Sequence, residues 1–166
     1  GEATAILGVN GAGKTTLSKI LATWLYPTSG TVNIFGADVV TAAAHARQHI
    51  VAVFGGDRGL YPMLTAWENL SYFAAIRGAA LPKSQLASIL DSVGLADAAH
   101  RRVEEYSKGM KQRLHIAVGL SANAPILLLD EPTVGLDPIE AAWLRGTLAE
   151  LKNRGKTIIL TSHNLT

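Results

Sequence analysis

Short apolar runs with strand character recur along the chain, at Thr4 to Leu7, Val32 to Phe35, Ile50 to Phe54, Ile126 to Asp130 and Thr157 to Thr161. Segments of helical period separate them, and several runs are apolar on both faces. Such runs suit strands covered by helices on either side, so the expected fold class is α/β with a mainly parallel sheet. After the first run, Leu17, Ile20, Leu21, Trp24 and Leu25 have the spacing of one buried helical stripe, which Pro27 ends. Thr65-Ala66-Trp67-Glu68 reads as a capping box opening a helix that runs to about Arg77, because Thr65 and Glu68 can each satisfy a first-turn amide. Pro82 at a first helical position and Gly94 just past the end bracket another helix. From about Arg58 to Ser121 the pattern is helical, which predicts a helical subdomain at about 58–121 inserted into a core at about 1–57 and 122–166.

Composition narrows the picture. A length of 166 residues with 48% hydrophobic content suits one domain with its own core. With no cysteine, disulfides and thiolate metal sites are excluded and a reducing compartment is permitted. No apolar run approaches the roughly 18 residues that span a bilayer, so any membrane role must come through a partner. The net charge of +2 is small and its cations are scattered, so no nucleic-acid partner is expected; Arg101, Arg102, Lys108, Lys111 and Arg113 read as a solvated helical face. The chain opens at Gly1-Glu2 and closes at Thr166, just past an apolar run, and reads as a piece truncated at both ends. It contains no internal repeat.

The first chemical motif is Gly8-Val9-Asn10-Gly11-Ala12-Gly13-Lys14-Thr15, a phosphate-loop pattern G-x-x-x-x-G-K-[ST] between a predicted strand and helix. Its glycines let successive N–H groups turn inward, and the helix start adds partial positive charge. Gly8, Asn10, Gly11, Ala12, Gly13, Lys14, Thr15 and Thr16 are therefore candidate nucleotide-binding residues, with Lys14 reaching the β- and γ-phosphates and Thr15 ligating Mg²⁺. The second motif is the apolar run ending in Asp130-Glu131-Pro132. Asp130 is a candidate for holding Mg²⁺, and Glu131 for orienting the attacking water and accepting its proton. Alternation of strand side chains would let the two neighbours serve different tasks.

These motifs alone admit kinases, GTPases, helicases and transport ATPases. Between them stands Tyr106-Ser107-Lys108-Gly109-Met110-Lys111-Gln112-Arg113, which resembles the signature motif of the ATP-binding cassette (ABC) family. Gly135-Leu136-Asp137-Pro138 resembles that family's D-loop, and His163 resembles its switch histidine. On this ordered series, from Gly8 to His163, the chain is identified as resembling an ABC transporter nucleotide-binding domain. The resemblance implies a phosphate-loop NTPase fold with a RecA-like core, hydrolysis of MgATP, and a second nucleotide-binding domain as homo- or heterodimer partner. Two such domains would sandwich two nucleotides, with Ser107, Gly109 and Asp137 of one completing the site of the other. It further implies a transmembrane permease subunit or domain as partner, and a place at the cytoplasmic face of the membrane, peripheral through that partner. Glu131, His163 and Lys14 would be the catalytic residues. Each later motif also has a plain structural reading: Ser107 and Asp137 as helix N-caps, and His163 as a hydrogen-bonded structural histidine.

Some positions depart from the family pattern. Gly56 stands where relatives carry a glutamine that touches Mg²⁺, and Asp57 or a water is the candidate substitute. Lys108 replaces a usual glycine and Met110 a usual glutamine. The Tyr-Ser-Lys-Gly-Met form, with Gly59 to Pro62, most resembles exporter ATPases of the drug-resistance and polysaccharide-export branch. The alternative function is an ATP-gated clamp in translation or DNA repair, which long coiled-coil insertions or a second cassette would mark. An Asn-Lys-x-Asp motif for guanine is absent. His45 and His49, one helical turn apart, suggest no complete metal site, and His100 and His115 receive no catalytic task. The transported substrate and the direction of transport are not encoded in these motifs.

Overall fold

The computed structural model describes residues 1–54, 59–78 and 80–163. In chain order the elements are β1 (Ala3–Leu7), α1 (Lys14–Leu21), β2 (Asn33–Ile34), β3 (Ala37–Asp38), α2 (Ala43–His49), β4 (Ile50–Phe54), α3 (Ala66–Ile76), α4 (Lys83–Ser92), a single 3₁₀ turn at Val103–Glu105, α5 (Lys108–Ser121), β5 (Ile126–Asp130), α6 (Pro138–Asn153) and β6 (Thr157–Ser162). The chain divides into two compact units, one of Gly1–Phe54, Ala124–Pro132 and Leu148–Thr166, the other of Gly55–Asn123 and Thr133–Thr147.

The first unit holds a four-stranded, wholly parallel sheet in the order β1-β6-β5-β4. The central strand β5 carries Leu127, Leu128 and Leu129, all buried, as the apolar run predicted. Ala22, Ile34, Val39, Ala46, Ile50 and Leu128 form a buried cluster against which Ile20, Leu21 and Ile159 pack. The register pairs Asp130 with Thr161 on β6 and with Phe54 on β4, so the carboxyl ends of the strands finish level. In an open parallel sheet that rim is where ligands bind.

Three expectations for this unit need correction. The run Val32 to Phe35 does not join the main sheet; β2 pairs antiparallel with β3 in a small separate hairpin. Its two-residue turn is Phe35 and Gly36, both at positive φ (49° and 81°), the form that matches strand twist. Helix α1 stops at Leu21, well before Pro27. Thr23 takes a left-handed φ of 61° while Trp24 N–H donates to the Lys19 carbonyl at 2.8 Å, a hydrogen-bonded helix ending. The expected apolar stripe is buried only in part, at Ile20 and Leu21. Lys14, Ser18 and Ala22 are buried, whereas Leu17, Trp24 and Leu25 are exposed. The inward face is polar because it meets the Asp130 carboxylate, which hydropathy alone does not reveal.

The second unit is helical, with α3, α4 and the first part of α5 burying Leu70, Ala74, Leu86, Leu90, Leu114 and Ile116. The capping box is present: Glu68 N–H donates to Thr65 Oγ1 at 3.2 Å, and Thr65 N–H donates to Glu68 Oε2 at 2.8 Å. Pro82 is the N-cap of α4 and not its first helical residue; Gly94, at φ 68°, follows the helix end. Buried Asn69 ties down the approach to α3, accepting from Tyr61 N–H at 2.8 Å and donating to the Tyr61 and Thr65 carbonyls. Burial raises the Tyr106 phenol above its ordinary range, and its hydroxyl donates to the Ala98 carbonyl at 2.7 Å. Three basic residues of this unit are engaged: Arg101 with Glu105, Arg102 with Glu104, and Arg113 over the Trp143 ring at 4.3 Å. Among the described residues, no helix is long and apolar enough to cross a membrane.

Candidate active site

The loop between β1 and α1 turns through Gly11 and Gly13 at φ of 84° and 92°, left-handed values that glycine adopts without Cβ strain. Gly13 is the N-cap of α1 and Lys14 its first residue. Lys14 is buried, and its ammonium donates to the carbonyls of Gly8 (2.6 Å) and Val9 (3.1 Å). That same ammonium lies 3.3 Å from Glu131 Oε1. The loop thus closes over its own lysine and presents the start of α1 beside it.

Asp130, at the tip of β5, is buried and accepts three hydroxyl hydrogen bonds: from Thr15 at 2.8 Å, Ser18 at 3.1 Å and Thr161 at 2.7 Å. Buried carboxylate oxygens need such donors in place of the water they have lost. Glu131 does not continue the strand. Its φ of 50° is left-handed, so a turn, not strand alternation, separates the two carboxylates. The backbone N–H of Glu131 donates to Thr161 Oγ1 at 2.9 Å, so one buried hydroxyl fixes both acidic residues. Glu131 Oε2 lies 2.8 Å from His163 Nδ1 and accepts from His163 N–H at 3.3 Å.

Lys14, Thr15, Asp130, Glu131 and His163 are therefore brought together at the carboxyl rim of the sheet. Ser18 and Thr161 belong to the same network and were missed in the sequence. Ser18 could have been found, being three residues beyond Thr15 on the same helical face. Thr161 gives no such signal, since threonine is an ordinary strand former. Thr15 Oγ1 and Asp130 form a pair of hard oxygen donors, the set that Mg²⁺ prefers.

The remaining candidates lie in the second unit. Ser107 is exposed and caps α5, its Oγ accepting from Met110 N–H at 3.1 Å. Gly109 is buried in the first turn of that helix. Asp137 Oδ1 accepts from Glu140 N–H at 2.8 Å, capping α6 with Pro138 at its first position. The cap roles of Ser107 and Asp137 are thus real, and they are compatible with phosphate binding at a helix start. Gly56 and Asp57 lie outside the described residues. His45 and His49 sit on α2 with ring centroids 5.2 Å apart, and His100 stacks on Trp67.

A strand, a glycine loop around a lysine and paired acids at the tip of β5, one strand removed across β6, define the α/β phosphate-loop NTPase class. A sequence profile described as ABC transporter matches residues 1–134, and the chain belongs to that family. The ABC transporter ATP-binding protein NatA of Bacillus subtilis (strain 168) is 41% identical over 165 residues, covering 98% of this chain and 67% of NatA. The bacitracin transport ATP-binding protein BcrA of Enterococcus faecalis is 39% identical over 166 residues, covering 99% of this chain and 53% of BcrA. Among solved structures, cbiO1 from Clostridium perfringens, part of the ABC transporter complex cbiONQ, superposes with a TM-score of 0.84 at 31% identity. That superposition covers 98% of this chain and 67% of cbiO1. The chain spans from about half to two thirds of the length of the curated relatives it matches.

Proposed function

We propose that this chain binds MgATP, hydrolyses it to ADP and phosphate, and thereby powers transport through partner transmembrane subunits at the cytoplasmic face of a membrane. The observation that carries this reading is the convergence of Lys14, Thr15, Asp130, Glu131 and His163 on one network. The loop amides and the start of α1 bind the polyphosphate, and Lys14 supplies the cation for its outer phosphates. Thr15 and Asp130 would hold Mg²⁺, whose charge neutralises the phosphate oxygens when it is bound.

Glu131 is the general base. Its carboxylate is steered by Lys14 on one oxygen and His163 on the other, so it is positioned to orient a water and take its proton. The second Glu131 anchor, its N–H on Thr161, holds the backbone in the turn that aims the side chain. His163 acts by holding Glu131 Oε2 through Nδ1 and through its backbone N–H.

In the sandwiched dimer, the capped start of α5, with Ser107 and Gly109, meets the nucleotide held by the second copy, and Asp137 lies beside it. ATP joins the two copies and hydrolysis separates them, which couples chemistry to movement. The relative BcrA is a bacitracin transport ATP-binding protein, and the resemblance of the signature to exporter ATPases supports coupling to a membrane transporter.

The test is Glu131→Gln in the full-length protein. Turnover of MgATP should fall at least about 100-fold, the usual worth of a general base, while ATP binding is kept and an ATP-dependent dimer accumulates. Normal turnover would remove Glu131 from its assigned role.

A further inference from the structure

In the second unit, two charged side chains each lie on a glycine of the other segment. A Cβ built on Gly109, in the first turn of α5, would coincide with the carboxylate of Glu140, from the first turn of α6. A Cβ built on Gly135 would coincide with the ammonium of Lys108. Gly109 is buried although its neighbours Ser107 and Lys108 are exposed, because Glu140 covers it. The backbone of Glu140 is itself fixed by Asp137, which accepts its N–H at 2.8 Å. The carboxylate therefore rests on the positive end of α5, the place for an anion.

We propose that Glu140 is a built-in competitor for the phosphate-binding start of α5, and so sets the ATP concentration at which two copies close on each other. The proposal rests on the sandwich reading above. In that reading, Gly109 and Ser107 receive the terminal phosphate of ATP held by the second copy, so the phosphate and the Glu140 carboxylate cannot share the glycine's open face. Two anions on one helix start repel each other, and closure requires the Glu140 side chain to swing aside. A triphosphate carries more charge and more acceptor oxygens than a carboxylate, so it wins once bound in sufficient amount. Glu140 then keeps copies apart at low nucleotide.

The experiment uses the full-length protein carrying Glu131→Gln, titrated with MgATP, with the dimer fraction read by light scattering. Adding Glu140→Gln should lower the ATP concentration for half-dimerisation by about fivefold, the scale of one charge at a helix start acting at two sites. Glu140→Asp, which withdraws the carboxylate by one methylene, should lower it about twofold and carries the test if Glu140→Gln fails to fold. ATP affinity of the monomer, measured with a fluorescent analogue, should stay unchanged, because Glu140 acts on the nucleotide of the other copy.

Half-dimerisation unmoved in both variants while the parent dimerises would overturn the role of Glu140 and leave the sandwich standing. An equal shift in monomer affinity would also overturn it, as would a fall in melting temperature without a shift in the ATP midpoint. Failure of the parent to dimerise with ATP would remove the sandwich reading, and this proposal with it.

Discussion

Thr161 offers the sharpest test of how the site is held. Its side chain is fully buried, and its hydroxyl donates to Asp130 at 2.7 Å while accepting from Glu131 N–H at 2.9 Å. Thr161→Val keeps the shape and strand propensity but deletes both bonds. Asp130 retains Thr15 and Ser18 as donors, so its loss sits at the low end for a charged acceptor, about 1.5 kcal/mol. The Glu131 N–H is left without its partner, which adds a similar amount, for a total of about 3 kcal/mol. In a protein of this size that is a drop of roughly 6 to 12 °C in melting temperature. Thr161→Ser retains the hydroxyl and should cost only about 1 kcal/mol for the lost methyl. Freed from Thr161, Glu131 relaxes out of its left-handed turn, and a displacement of about 1 Å should lower ATP turnover by about 100-fold. Urea and thermal unfolding, with steady-state ATPase on the same preparations, would check this. If valine and serine variants matched in stability and turnover, the bridging role of Thr161 would be wrong.

Further outcomes follow from the loop and the capping box. Gly13→Ala places a Cβ at φ 92°, where nothing within 4 Å obstructs it, so its cost is conformational. We expect a loss of about 1 to 2 kcal/mol in stability, with nucleotide affinity falling more than that figure because the loop amides turn away; titration calorimetry would show it. Glu68 is held below the usual glutamate range, first by the Thr65 backbone N–H and then by the Thr65 hydroxyl. Its folded value lies below its unfolded one, so its contribution is full above the ordinary value and is lost as pH falls through the lowered one. Glu68→Gln should therefore flatten the acid limb of the stability curve between about pH 6 and pH 3, read as urea midpoints, and an unchanged limb would refute the box as its source.

Local signals made much of this molecule readable. The capping box needed only four consecutive residues, and the structure places its bonds at Thr65 and Glu68 as expected. The runs at Ile50 to Phe54 and Ile126 to Asp130 became strands with those limits, because both faces are covered and the pattern is continuous. The phosphate loop and the two acids were legible as motifs, and their spatial union follows from the parallel register of the sheet. What escaped was set by tertiary neighbours. The polar inner face of α1 exists because Ser18 meets Asp130, a partner 112 residues away. The β2–β3 hairpin is too short for a period to register. The end of α1 depends on a threonine taking a glycine-like conformation, which no propensity scale anticipates. Glu140 on Gly109 joins two helix starts distant in sequence, and neither segment announces the other.

The positive φ of Glu131 carries a practical consequence for anyone engineering this protein. A branched or long side chain in that region costs roughly 1 to 2 kcal/mol relative to residues that tolerate it. Heat-challenge libraries scored only for soluble survivors would thus drift toward glycine or asparagine at this position. Under the role proposed for Glu131, their winners would be hardier and chemically silent, so selection here has to count phosphate released as well as protein recovered.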